Sequence, residues 1–361
     1  MKLAILGDTH FGLRNDSTVF DNLARKFYTE LFFPYLKEHS IKSVIQLGDL
    51  FDRRKYININ TLATAKEYFF EPMREYEFHT LIGNHDIFYR NTLKVNSTSL
   101  VLAEYSNIHI HSKPIRWNFD GLRADLIPWI CEENEKEIME FIETSKSSFC
   151  FGHFELLGFE MDRGNFCHKG MDRGTLAHYE QVISGHFHHK SSAGNILYVG
   201  VPFQHTWVDW NDPKGFYVLD TITRELGFIQ NPNEIYVKIP YKDDELYFDD
   251  VTKHDFSAYT DKYVKVVVIK RDNSFLFDTF LDHLSRANPI DITVVEDFTG
   301  STLSVTATEN VDNKNNIETI NQGDDTIGII DKVIDGLEIE LQKSRLKNTL
   351  RGIYQEALAS E

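Results

Sequence analysis

Short apolar runs alternate with longer amphipathic stretches through residues 1–230, the pattern of a layered α/β fold. The runs at 2–7, 43–47, 78–82, 107–111, 122–127, 148–152, 181–184, 196–199 and 215–219 read as strands. Segments 19–38 and 60–76 carry apolar residues near helical spacing and read as helices that cover the sheets. Pro34 predicts a bend or an interruption in the first of them, because proline lacks the N–H that an interior helical position donates.

The pattern changes at 231–250, where prolines and an acidic run mark the exit from the first domain. A smaller α/β unit follows, with strands expected at 263–270, 291–296 and 302–307 and a helix at 274–286. Residues 308–325 are Asn- and Asp-rich with almost no large apolar side chain, the composition of a linker. Beyond it, Ile329, Ile330, Val333, Ile334, Leu337 and Leu341 open an amphipathic helical tail, which either folds back on its own core or docks on a partner. The expected divisions are 1–235, 236–307, 308–325 and 326–361.

Five of the apolar runs end in the same way, with glycine followed by a side chain able to bind metal: ILGDTH (5–10), IQLGDLFD (45–52), LIGNHD (81–86), FCFGHFE (149–155) and VISGHFHH (182–189). Each reads as a buried strand whose carboxyl end opens into a loop, the glycine permitting a sharp turn. Open α/β sheets gather ligands at those ends. Core packing gives no reason to put Asp, Asn and His there repeatedly, so a metal site is expected. Carboxylate, carboxamide and imidazole donors without thiolate suit manganese, iron or zinc, and the candidates are too many for one tetrahedral ion. In VISGHFHH an extended backbone sends alternate side chains the same way, which pairs His186 with His188 and turns His189 elsewhere.

Composition narrows the picture. With 361 residues there is room for two or three domains, and the 42% hydrophobic and 26% charged fractions are ordinary for a globular protein. The net charge of −17, weighted toward the C-terminal third, argues against simple basic-patch binding to nucleic acid. Cys131, Cys150 and Cys167 show no C-x-x-C spacing, so neither a disulfide framework nor a thiolate zinc site is indicated. The apolar run in MKLAILGD is too short for a signal peptide, and no run of about 18 apolar residues occurs. A soluble protein of a reducing cytoplasm is expected, without a membrane partner.

D-x-H, G-D-x-x-D, G-N-H-D, G-H and G-H-x-H, in this order, resemble the calcineurin-like metallophosphoesterase superfamily. GDLFDRR and the early spacing resemble its SbcD-type DNA-repair nucleases. Through LIPWICEEN (126–134), FCFGHFELLGF (149–159) and NDPKGFYVLD (211–220) the chain is most similar to the phage branch, the recombination endonuclease subunits of T-even-type phages. The resemblance covers 1–220 by motif and the remainder by layout. A phage origin would place the protein in the host-cell cytoplasm.

The resemblance implies a layered β-sandwich metallophosphoesterase core flanked by helices, with 236–307 as a small α/β capping and DNA-specificity domain and 326–361 as a helical partner-binding segment. It implies two divalent ions, manganese first, with magnesium, iron or zinc as alternatives. Asp8, His10 and His188 would bind one ion and Asn84, His153 and His186 the other, with Asp49 bridging. Two ions about 3.5–4 Å apart can clamp a phosphate and lower the pKa of water enough to supply a nucleophile. His85 would stabilise the transition state or protonate the leaving group, with Asp86 orienting it; a structural turn residue is the alternative reading of His85. Asp52, a histidine in some relatives, is expected to cap the following loop or support the ligands from behind. Arg163, Lys169 and Arg173 in the Gly- and Arg-rich loop 160–178 are candidates for DNA phosphates, or for a merely solvated loop. His39, His79, His109, His111, His254 and His283 are expected to be surface or satisfied core residues.

The function this implies is a dinuclear-metal-dependent DNA nuclease subunit, exonuclease or endonuclease, that processes DNA ends in recombination, repair and replication. Its implied partners are double- or single-stranded DNA and an SbcC-type coiled-coil ATPase subunit, with a homodimer left open. A phosphoprotein phosphatase or small phosphodiesterase is the second reading, since GDLFDRR is similar to G-D-x-V-D-R-G, although G-N-H-D stands where phosphatases have G-N-H-E. A catalytically silent scaffold is the third.

Overall fold

The computed structural model describes residues 1–296 apart from 163, 164, 245 and 246. In chain order its strands are β1 (Lys2–Leu6), β2 (Ser43–Gln46), β3 (Glu77–Leu81), β4 (Ile108–His111), β5 (Ile115–Phe119), β6 (Leu122–Ile127), β7 (Phe149–His153), β8 (Glu160–Asp162) and β9 (Asn165–Phe166). They continue as β10 (Gln181–Gly185), β11 (Ser191–Ala193), β12 (Ile196–Tyr198), β13 (Gly215–Asp220), β14 (Leu226–Gln230), β15 (Tyr236–Lys242), β16 (Tyr263–Lys270) and β17 (Asp291–Glu296).

Two six-stranded sheets form the first domain, in the orders β14-β13-β1-β2-β3-β4 and β11-β12-β10-β7-β6-β5. Strand periodicity explains how they stack. In β1, Leu3 and Ile5 point between the sheets with Ile45, Leu47 and Leu81, where they meet Leu122, Ala124, Leu126, Phe149, Phe151 and Ile183 of the second sheet. Ala4 and Leu6 point the other way, into a helix-covered core built on Phe20, Phe27, Tyr28, Phe32 and Phe69. The far side of the second sheet packs Ile127, Cys150 and Val182 against Ile138 and Ile142 of helix Glu135–Glu143. The result is the layered α/β sandwich flanked by helices that the sequence predicts. Strands buried on both faces account for runs apolar throughout rather than alternating.

The helix with Pro34 is not interrupted. Backbone of helical geometry runs through Thr18–Lys26, Phe27–Phe32 and Phe33–Glu38, the middle piece being a π-helical turn directly before the proline. The same device recurs at Lys66–Phe70, just before Pro72. Widening the turn accommodates a residue that cannot donate and whose ring crowds the preceding carbonyl.

Residues 236–296 form a third sheet, β15-β16-β17, parallel throughout, with Tyr241, Val264, Val266, Val268, Phe277, Phe280 and Leu284 as its own core. The acidic stretch read as a domain exit therefore contains β15. Tyr236 and Tyr263 reach across to Phe20 of the first domain, and Lys265 Nζ lies 4.2 Å from the centre of the Trp207 ring. The expected strand at 302–307, the linker 308–325 and the segment 326–361 lie outside the described residues, as does Arg163. Among the described residues no helix is long and apolar enough to cross a membrane.

Phe69 is fully buried and touches the rings of Phe11, Tyr28, Phe70 and Phe78. Phe69→Ala is expected to destabilise by about 3–5 kcal/mol in urea unfolding. Leu100→Ala, at a position 75% exposed, should stay within about 0.5 kcal/mol of the parent.

Candidate metal centre

Strands β1, β2 and β3 run parallel in one sheet and β6, β7 and β10 run parallel in the other. Asp8 and His10 follow β1, Asp49 follows β2, Asn84 and His85 follow β3, His153 ends β7, and His186 and His188 follow β10. The first sheet thus delivers carboxylates, a carboxamide and one imidazole, and the second delivers three imidazoles. All seven sequence-predicted ligand positions meet at this seam in two adjoining groups.

Asp8, His10 and His188 form the first group. His10 Nε2 and His188 Nε2 lie 3.1 Å apart, and Asp8 Oδ2 is 3.9 and 3.7 Å from them. Two imidazole nitrogens each about 2.1 Å from one ion at a right angle would be about 3 Å apart, so the pair fits a shared cation. Asp49, His153 and His186 form the second group. His153 Nδ1–H donates to the Leu47 carbonyl (2.7 Å), which turns Nε2 toward Asn84 Oδ1 (2.9 Å) and Asp49 Oδ2 (3.5 Å). Asp49 joins the groups, because the same Oδ2 is also 3.9 Å from His10 Nε2.

The electrostatics are those of a place built for positive charge. Burial alone would lower His10 and His153, but carboxylates outweigh it and lift both to about 9: Asp52, Asp49 and Asp8 for His10, Asp49 and Asp8 for His153. Burial pushes Asp8 up to about 6, and His153 beside Asp49 holds that carboxylate well below its usual range against the effect of burial. Burial, and then the neighbouring imidazoles, lower His186 and His188 to about 3. The donor set and its charge fit two divalent cations.

Backbone strain accompanies the site. His10, Asp49 and His186 have φ of 45°, 54° and 87°, which non-glycine residues rarely adopt. Of the five motif glycines, expected to permit sharp turns, one, Gly48, has a left-handed backbone (φ 100°). Gly83 and Gly185 serve closeness instead, since a Cβ on either would lie 2.2 or 2.6 Å from a carboxylate oxygen of Asp49 or Asp8. The positive φ at His186 also means that simple strand alternation does not aim the His186 and His188 rings. His189 does point elsewhere, its Nδ1 3.1 Å from Asp212 Oδ2.

His85 stands at the rim of both groups. Its N–H donates to Asp49 Oδ1 (2.7 Å), its Nδ1–H to the Asp52 carbonyl (2.6 Å), and burial lowers its pKa. Asp86 does not orient it, contrary to expectation. Its fully buried carboxylate accepts the backbone N–H groups of Asp49, Leu50, Phe51 and Gly83 at 2.8–3.4 Å and so ties the β2 loop to the β3 loop. Adjacent residues project to different sides, which sends Asp86 inward as His85 faces out.

Several participants were not assigned as metal ligands or catalytic groups from the sequence. Asp52 Oδ1 lies 3.3 Å from His10 Nδ1, behind the ligand rather than capping the loop. His205 is buried with both ring nitrogens unpartnered, 5.5 and 5.2 Å ring to ring from His10 and His188. The buried Lys214 ammonium donates to the His188 carbonyl, Asp212 and Asp209. Gln204 is structural, its Oε1 accepting the N–H groups of Ile235 and Tyr236 at the start of β15. Lys169 and Arg173 are exposed.

A model of the calcineurin-like phosphoesterase family matches residues 1–190. Exonuclease subunit 1 of Enterobacteria phage T4 is 38% identical over 278 residues, which span 76% of this chain and 78% of that protein. A solved structure described as a novel archaeal phosphodiesterase overlays with a TM-score of 0.34 and 13% identity, over 64% of this chain and 100% of that one.

Asp86→Ala would leave four backbone N–H groups without their acceptor. It should cost about 3 kcal/mol or more in chemical unfolding, whereas His85→Ala should cost under about 1 kcal/mol.

Proposed function

Because the chain belongs to the calcineurin-like phosphoesterase family, we propose that it is the nuclease subunit of a DNA-end-processing complex, cutting phosphodiester bonds at a dinuclear metal centre. Asp8, His10 and His188 would hold one ion and Asn84, His153 and His186 the second, with Asp49 between them. The observation that supports this most is the Asp49 carboxylate, whose Oδ2 faces an imidazole of each group at 3.9 and 3.5 Å. Two divalent ions, manganese first, would supply Lewis-acid charge to the phosphoryl oxygens and lower the pKa of water enough for attack near neutral pH.

The chain's own groups do the positioning. The Leu47 carbonyl fixes the ring of His153, and Asp52 Oδ1 faces His10 Nδ1 at 3.3 Å, so each ring would present Nε2 to the centre. His85 is fixed at its backbone N–H and at Nδ1, which leaves Nε2 for the substrate. A phosphate beside it favours the imidazolium, which passes its Nε2 proton to the leaving oxygen. Burial and Arg90 lower Arg54, with Asp49 opposing, so the Arg54 guanidinium stands within electrostatic reach of Asp49 with that of Arg90 near it. They offer an anionic substrate its local attraction on a chain of net charge −17.

Exonuclease action on DNA follows the name of the phage T4 relative, and that relative's being a subunit supports a second protein in the complex. Residues 236–307 would cap the substrate, and 326–361 would dock on an SbcC-type coiled-coil ATPase. The acidic balance implies weak DNA affinity for the subunit alone, since phosphate neutralisation dominates such binding.

The test is an assay with Mn²⁺ on end-labelled duplex DNA, single-stranded DNA and p-nitrophenyl phosphate, with and without the ATPase. DNA cleavage is expected, and His85→Ala should lower it by about 10²-fold or more while both metals stay bound. No DNA cleavage under any condition, alongside rapid phosphomonoester turnover, would replace this reading with a phosphatase.

A further inference from the structure

At the opposite end of β3 from Asn84, the pair β3–β4 sets Glu77 and His79 beside His109 and His111, with His79 and His109 in register. Among the described residues this is the outer edge of the first sheet, where β4 has no further neighbour. His79 is completely buried; its ring stacks 4.7 Å from His109 and 5.3 Å from His111, with Trp117 and Phe119 of β5 against it edge-on. Its Nδ1 lies 3.0 Å from His111 Nε2. Its Nε2 has no hydrogen-bond partner among the described residues, yet it faces Glu77 Oε1 at 3.5 Å, and that same oxygen is 3.8 Å from His109 Nε2.

The tautomers decide what this arrangement can do. If His111 donates to His79 Nδ1, then His79 Nε2–H is a buried donor with no acceptor in bonding geometry. If instead His79 Nδ1–H donates to His111, then His79 Nε2 is a buried lone pair aimed at a carboxylate, and a cation between them, a metal ion or a proton, satisfies both. The second arrangement matches ligating histidines, which donate their other ring N–H to a fixed acceptor. Glu77 is prepared likewise, with Oε2 accepting the Ser43 hydroxyl at 3.0 Å and Oε1 left for the ion. The three donor atoms lie within 4.8 Å of one another.

We propose that Glu77, His79 and His109 form a separate transition-metal site that takes zinc, or cobalt or nickel in its place, and that fastens the edge strand β4 to β3. Two imidazoles and a carboxylate leave the fourth tetrahedral position to water. His111 and Ser43 hold the ligands from behind. The expectation that these histidines are satisfied core residues thus meets its exception at His79 Nε2.

The experiment loads the full chain with Zn²⁺ at micromolar concentration, dialyses it, and counts bound metal for the parent, His109→Ala and Glu77→Gln. The parent should retain about one equivalent more than either variant, and its Tm should rise by about 4 °C more on zinc addition. Ser43→Ala should weaken that last equivalent about tenfold. Both ligand variants should keep the parent's Mn²⁺-dependent phosphodiester cleavage, because these residues stand apart from that centre. Glu77→Gln keeps an acceptor for Ser43 and His109 is half exposed, so folding is preserved. Equal zinc stoichiometry and equal Tm response in the folded variants overturn the proposal.

Discussion

The packing of two β-sheets with their carboxyl ends at one edge is the constraint on which the rest depends. Leu3, Ile5, Ile45, Leu47 and Leu81 of one sheet are buried against Leu126, Phe149, Phe151 and Ile183 of the other. Neither sheet holds either ligand group alone: His188 joins Asp8 and His10 across the seam, and His153 and His186 join Asp49. The core between the sheets therefore sets the spacing of the centre, and a change in sheet separation would pull carboxylates from imidazoles. Dense packing makes that separation stiff.

A second set of interactions, polar and buried, holds the loops above that core. Asp86 gathers four N–H groups from the β2 and β3 loops, and Lys214 ties the His188 carbonyl to Asp209 and Asp212. These bonds offset the left-handed conformations of His10, Asp49 and His186, each of which costs about 1–3 kcal/mol. A buried ion network of this kind contributes little net stability, and its work is to keep one geometry. That geometry lets Asp49 Oδ2 face both groups.

The candidate ligand positions could be located because the requirement is local: a strand buried on both faces must be an apolar run, and a ligand must follow it closely. The strands that left no trace were of a different kind. Ile115–Phe119, Ser191–Ala193, Leu226–Gln230 and Tyr236–Lys242 are edge strands, and Glu160–Asp162 with Asn165–Phe166 is a small separate ribbon. An edge strand need not be apolar on both faces, so no run announces it. Asp86 was misassigned because its neighbour in sequence is not its neighbour in space. His205 went unseen for the same reason, since the ring of His10 that it faces lies 195 residues away in sequence. The π-helical turns before Pro34 and Pro72 show tertiary packing preserving a helix where local preference predicts a break.

The central claim is that one carboxylate, Asp49, joins two metal-binding groups into a single centre. Anomalous diffraction from crystals loaded with Mn²⁺ tests it most directly. Two manganese peaks about 3.5–4 Å apart with Asp49 Oδ2 between them are what the account predicts. A single peak, or two peaks too far apart for one carboxylate to touch both, would contradict it.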